Sequence, residues 1–406
     1  MNNRSQPKHG LQCGFTGGRQ RAISGGISHG GAPCRLPVRF ATLSMGLALL
    51  GAATAVQAQS TVTIYGSLDQ YLNYMRSSSG ARIKSLNDGE FLRSRFGVRG
   101  TEDLGDGLSA KFQLEGGLGA DTGTLADTSR FFDRQTWVGL AGKFGEVRIG
   151  RQNSAVFYRG DYIDYNARTL GSVVNTFGVP SRFDNDVAYI SPRVAGFLFE
   201  AHYALGESGK VSSQAVYQAG LEYLNGPFRV GYAGLRANPP ATAPIRTKVK
   251  YDNFYGNYDY GAGKVYLVYI RSNNSAATAV SNNAGTVLGN TGVLMTGTVA
   301  DVNRYYDIWQ ISADYNVTPQ LRVGALWGSI KDTGHDSHGM TGAAVGGYYS
   351  LSKRTTLIAA WEMLDNEANG GFRPAGSAGV SPNFATPFDV NGRRISGVQL
   401  GILHRF

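Results

Sequence analysis

Between Ser109 and Glu115 polar and apolar side chains alternate without a break, with Ser109, Lys111, Gln113 and Glu115 on one side and Ala110, Phe112 and Leu114 on the other. A period of two belongs to a β-strand, whose successive side chains point to opposite faces. The stretch before it has the same period: Arg93, Arg95 and Arg99 share one face, Phe96 and Val98 the other. Glu102-Asp103-Leu104-Gly105-Asp106-Gly107 supplies turn residues between the two, so the pair reads as an antiparallel hairpin. A soluble sandwich would turn the polar face of this hairpin to water and the apolar face to a second sheet. A membrane barrel reverses the arrangement, with apolar residues to lipid and polar residues to an aqueous lumen.

Sixteen runs of this kind are read between Thr61 and Phe406, and their connections sort by length. Seven are tight: Glu102 to Gly107, Gly142 to Gly145, Ser191 to Gly196, Leu224 to Pro227, Tyr260 to Gly263, Asn316 to Pro319 and Leu351 to Arg354. The other eight read as longer and polar, among them Asn238-Pro239-Pro240, Ser272 to Thr298 and Asn366 to Gly392. Short turns on one side and long loops on the other, on an even number of strands, fit an outer-membrane barrel and not a Greek-key sandwich. In the last run Val398, Leu400, Ile402, His404 and Phe406 alternate with Gln399, Gly401, Leu403 and Arg405. Such a strand is expected to pair with the first and close the barrel at Phe406, because an open edge in lipid is prohibitively costly.

Residues 1–58 have a different character. They hold six basic residues, no acidic residue and both cysteines, and they run through the uncharged stretch Ala41 to Val56 into Val56-Gln57-Ala58. This pattern predicts an export signal with an extended basic leader, cleaved after Ala58. The expected mature chain, 59–406, keeps 33 basic and 29 acidic residues and no cysteine. A net charge of +4 without a basic cluster argues against nucleic-acid binding. No segment of it reaches eighteen apolar residues, which excludes membrane-spanning helices.

The chain resembles the trimeric general porins of Gram-negative bacteria, most closely those of the beta-proteobacterial branch. The resemblance rests on Val62-Thr63-Ile64-Tyr65-Gly66, on Ser94-Arg95-Phe96-Gly97 through Gly100-Thr101-Glu102-Asp103-Leu104-Gly105 to Phe112-Gln113-Leu114-Glu115, and on Val138-Gly139-Leu140. Gly150-Arg151-Gln152, the stretch Tyr348 to Thr355 and the final His404-Arg405-Phe406 complete it. It implies an all-β, sixteen-stranded antiparallel transmembrane barrel in the bacterial outer membrane, a homotrimer embedded in outer-membrane lipid. It also implies a third outer loop, here Arg151 to Ser181, folded into the lumen. By position, the family's arginine ladder maps onto Arg95, Arg134 and Arg182, and the opposing loop carboxylates onto Asp161 and Asp164, with Arg159 and Arg168 lying among them. Strand parity agrees for Arg95 and for Arg134, which shares a polar face with Thr136, and it also turns Arg93 and Arg148 to the lumen, along with Lys111 and Glu115.

Such a protein would pass ions and small hydrophilic solutes by diffusion, with a mild anion preference because arginines outnumber the loop acids. It would need no cofactor and no metal. Two other readings stay open on sequence: a closed barrel acting as an adhesin or structural protein, and a barrel lipase. The second lacks support, since the mature histidines are only His202, His335, His338 and His404 and no Gly-x-Ser-x-Gly elbow occurs. His335 and His338 with Asp336 form at most a partial metal set, and a solvated loop is the expected state. An aromatic band at the lipid boundary is expected from Tyr65, Phe144, Phe228 and Phe406.

Overall fold

The computed structural model describes residues 60–206, 215–237, 248–273 and 305–406, without the side chains of residues 160 and 161. The expected export segment, residues 1–58, lies outside the described residues.

Among the described residues sixteen antiparallel strands form one closed sheet. They are β1 (Thr61–Ser77), β2 in two halves (Arg82–Asp88 and Arg95–Gly105), β3 (Leu108–Gly119), β4 (Gln135–Gly142), β5 (Gly145–Asn153), β6 (Arg182–Ile190), β7 (Phe197–Ala204) and β8 (Val216–Asn225). The circuit continues with β9 (Phe228–Ala237), β10 (Val249–Asp259), β11 (Lys264–Ser272), β12 (Tyr306–Asn316), β13 (Leu321–Asp332), β14 (Met340–Ser350), β15 (Thr355–Asn366) and β16 (Arg394–Arg405). Each strand pairs with its neighbours in chain order, and β1 pairs with β16 from Ser67↔Arg405 to Ser77↔Ile395. Gly66 and Phe406 complete the seam by exchanging both backbone hydrogen bonds at 3.1 Å. A Cβ on Gly66 would run into the ring of Phe406, so the seam closes this tightly only over glycine.

The faces follow the sequence parity. On β1, Val62 (68% exposed) and Ile64 (64%) point outward, while Tyr71 and Met75 point inward and are buried. The same outward register carries Val138 and Leu140 on β4, Ile311 on β12 and Leu400 and Ile402 on β16. An exposed apolar surface on this scale is a membrane-facing band, since soluble monomers rarely expose contiguous patches above a few hundred Å². Aromatic pairs lie toward both rims. Phe197–Tyr223 (4.6 Å between ring centroids) and Phe228–Tyr258 (4.7 Å) flank the tight turns, and Tyr232–Phe254 (4.9 Å) and Tyr269–Trp309 (4.5 Å) lie toward the loops. Phe144, Phe228 and Phe406 are exposed as expected of the band. Tyr65 is not part of it: its parity with Ser67 and Asp69 turns it inward, where its hydroxyl donates to Glu115 Oε2 at 3.0 Å.

All seven turns read as tight are tight, and they share one rim. The opposite rim departs from expectation in its first connection, which is only the four residues 78–81 between β1 and β2. An interruption inside β2 takes its place: the Arg82–Asp88 half, where charged Arg82 and Lys84 hide the strand pattern, pairs with β1, and the chain leaves the sheet over residues 89–94 before resuming at Arg95. Arg93 therefore belongs to this break and not to a strand.

Candidate functional site

Loop 3, residues 154–181, joins β5 to β6 and contains α1 (Ala155–Tyr158), a 3-10 turn (Arg159–Tyr162) and α2 (Val173–Phe177). Its hydrogen-bond partners lie on inward-facing positions around much of the wall. The backbone N–H of Ala155 donates to Gln218 on β8, that of Tyr165 to Ser312 and that of Val173 to Gln310 on β12, at 2.8 to 3.0 Å. Asn257 on β10 and Arg322 on β13 donate to the carbonyls of Tyr162 and Tyr165 at 2.9 and 2.6 Å. Arg159 pairs with Glu200 on β7 and, at 3.3 Å, with Glu222 on β8. Gly171, at φ +84°, sits so close to the wall that a Cβ there would be 2.6 Å from that of Ala344 on β14. Backbone groups of an irregular segment at membrane depth need partners, and the wall supplies them.

Between the loop and the wall formed by β2 to β6 lies a polar cavity of about 550 Å³. Arg93, Arg95, Arg99, Arg134, Arg168 and Arg182 line it, against one carboxylate among the described residues, Glu115. Arg134 Nε donates to Glu115 Oε1 at 2.6 Å and Arg95 Nη1 lies 3.8 Å from the same oxygen. Arg168 and Arg182 both stack on the ring of Phe157, at 4.0 and 4.8 Å from its centroid. Other polar groups face the space as well, among them Tyr65, Gln113 and Asn153 from the wall, Asn175 from α2 and Ser377 from the last outer loop. A cavity of this kind has groups to orient and attract charged solutes.

The arginines expected from sequence thus fall into two groups. Arg95, Arg134 and Arg182 converge on the cavity, and Arg93 joins them from the break in β2. Arg148 faces inward as its parity requires but stands apart, bonded to Glu146 Oε1 at 2.5 Å and to Tyr158 Oη at 2.6 Å, with its guanidinium 4.3 Å over Trp137. Lys111 lies beside it, 3.1 Å from Glu146. Arg134 reaches the lumen as expected, but not through the face it shares with Thr136. Thr136 faces outward, and Arg134 can turn inward because it precedes the first residue of β4. Arg99, Tyr65 and Phe157 were not singled out for the site. Arg99 had the signal of its shared face with Arg95, whereas no local pattern marks Phe157.

The loop carboxylates sit differently from the arginines. Asp164 is 2% exposed and points into the loop's own fold, accepting from the Arg168 N–H (2.6 Å), Ser172 Oγ (2.7 Å) and Gln310 Nε2 (2.8 Å). Burial pushes its carboxyl above the ordinary carboxylate range despite these bonds. Asp161 lies in the 3-10 turn, and its side chain is outside the described residues. Elsewhere, His338 Nδ1 is 2.8 Å from Asp332 Oδ2 and groups with Asp332 and Asp336, whereas His335 is not in the cluster.

Comparison with known proteins agrees with this architecture. The sequence profile described as Gram-negative porin matches residues 45–369. An outer membrane porin protein of Bordetella pertussis is 30% identical over 90% of this chain and 99% of its own length. Outer membrane porin protein 32 of Delftia acidovorans is 28% identical over 89% of this chain and 98% of its own. Among solved structures, one titled an anion-selective porin from Comamonas acidovorans superposes with a TM-score of 0.70 at 24% identity, covering 86% of this chain and all of the other. The sixteen-stranded closed barrel and the profile match over most of the chain place this protein in the Gram-negative porin family of the bacterial outer membrane.

Proposed function

We propose that the protein is a general porin, a homotrimer of water-filled channels through which ions and small hydrophilic solutes diffuse, with a mild preference for anions. The observation that carries this reading is the cavity beside loop 3, lined among the described residues by six arginines and one glutamate. Arginine stays charged at any relevant pH and is weakly hydrated, so it attracts small anions without holding them as a deep site would. Arg95, Arg134 and Arg182, flanked by Arg93, are the ladder; Glu115 splits it and limits their mutual repulsion. Arg148 and Lys111 contribute charge to the wall beyond the ladder. Asp164 keeps loop 3 folded and adds little to the field in the cavity, which favours anion over cation preference.

On this reading the chain has no catalytic role, and residues 1–58 act as the cleaved export signal. Swelling of liposomes carrying the protein tests the channel directly. Neutral sugars up to the size of a disaccharide should enter, and a small carboxylate anion should enter faster than a cation of equal size. Liposomes that take up none of them would support the closed adhesin reading instead.

A further inference from the structure

The last outer connection, residues 367–393 between β15 and β16, packs its apolar residues onto the barrel, with Phe384 and Val390 against Met75 of β1 and Ile395 of β16, and Phe372 in the main cluster. Phe372, Ala375, Phe384 and Val390 are at most 3% exposed. The side chain of Asn366 accepts from the Phe372 N–H (3.0 Å) and donates to the Phe372 and Val390 carbonyls (2.9 and 3.2 Å). Arg373 donates to the Phe384 carbonyl at 3.2 Å and Asn383 to that of Pro374 at 2.9 Å.

From this base the segment 375–378 reaches two elements of the cavity. Asn175 Nδ2, on α2 of loop 3, donates to the Ala375 carbonyl at 2.6 Å. The Ser377 N–H donates to the Gly89 carbonyl, and Ser377 Oγ accepts from the Arg93 N–H, both at 3.0 Å. At Gly89, φ +72°, a Cβ would lie 2.7 Å from that of Ala378, so the two backbones touch. The break in β2 takes Gly89 and Arg93 out of the ladder, and their freed backbone groups need partners at this depth. The last loop provides the partner of the Gly89 carbonyl and of the Arg93 N–H, while the Gly89 N–H donates to the Asp69 carbonyl and the Arg93 carbonyl accepts from Arg95 Nε. Ser377 itself lines the cavity among Arg93, Arg95 and Asn175.

We propose that residues 375–378 form a second wall of the constriction, tying loop 3 to the break in β2 and setting the bore beside Arg93. The inference rests on the reading of the protein as an open channel and goes beyond it, in that loop 3 alone does not define the narrow zone. A single neutral hydroxyl now occupies a place where a larger or charged group would stand among the arginines.

The test is Ser377→Cys in protein purified from outer membranes, treated in planar bilayers with a cationic or an anionic methanethiosulfonate, with wild type given the same reagents. Either reagent should lower the single-channel current by roughly a third or more, because both narrow the bore. The anionic one alone should move the reversal potential toward the cation side. A thiol that stays unmodified, or one fully modified by mass with current and reversal potential unchanged, would overturn the proposal. If this variant does not insert, replacing residues 375–381 by a short Gly-Ser link reads the same question. Larger current steps support the second wall, and steps equal to wild type refute it. Wild-type protein that gives no steps would instead overturn the channel reading itself.

Discussion

At the scale of the residue, Glu115 is the one carboxylate that faces the cavity among its described lining residues, 2.6 Å from Arg134 and 3.8 Å from Arg95. Two unit charges 4 Å apart interact by about 1 kcal/mol in water, so removing this charge should change ion partitioning by roughly fivefold at low salt. Glu115→Gln keeps an acceptor for Arg134 and removes only the charge. The anion-to-cation permeability ratio should therefore rise, and rise less in concentrated salt as screening grows; an unchanged ratio would show that Glu115 does not act on the pore field. Much of this site was legible from the alternation of side chains, because a residue within a strand faces the side its parity dictates. Lys111, Glu115, Arg95 and Arg148 are inward for that reason. For Arg134 parity gives the right side for the wrong reason: it groups Arg134 with Thr136, whose face points outward, and Arg134 turns inward only because it stands before β4 begins. Asp164 was read as a candidate pore acid, but its position depends on Gln310, 146 residues away, which no local pattern announces.

At the scale of the element, loop 3 is held by the wall more than by its own short helices. Arg159 anchors its first half through Glu200 and Glu222, and Gln310 accepts from the Val173 N–H in its second. Between them Gly171 lets the backbone touch β14. Gly171→Val should cost a few kcal/mol locally, from the left-handed φ and the collision with Ala344. The barrel itself should survive, because no strand pairing changes. Single-channel records should then show added open-channel noise and closure at lower voltage, with heat-stable barrel migration on a denaturing gel unchanged. Quiet channels with wild-type closure would mean that the tip contact does not fix the loop. The sequence reading of the loops was weakest for the same reason that loop 3 is well held: contacts between an irregular segment and distant strands leave no periodicity. The short connection 78–81 and the interruption of β2 show the converse problem, where Arg82 and Lys84 on an outward face obscured half a strand.

At the scale of the whole molecule, the fold follows from two requirements that the sequence meets together. Every backbone group in lipid must be paired, which calls for closure, and the seam at Gly66 and Phe406 supplies it. The wall must also be apolar outside, which alternation provides around the barrel, while its inner face is polar beside the arginines and apolar where loop 3 packs on β9 to β14. Those two patterns extend along the whole barrel and survive errors of a few residues at any one boundary, so the architecture was far more legible than the site. The charge of the lumen is the property that turns this architecture into a particular channel. The most direct test is the reversal potential of the purified protein in a planar bilayer under a tenfold gradient of potassium chloride. Stepwise conductance with a reversal potential on the chloride side is the expected result, whereas steps reversing on the potassium side would contradict the assignment of the six arginines as the groups that govern permeation.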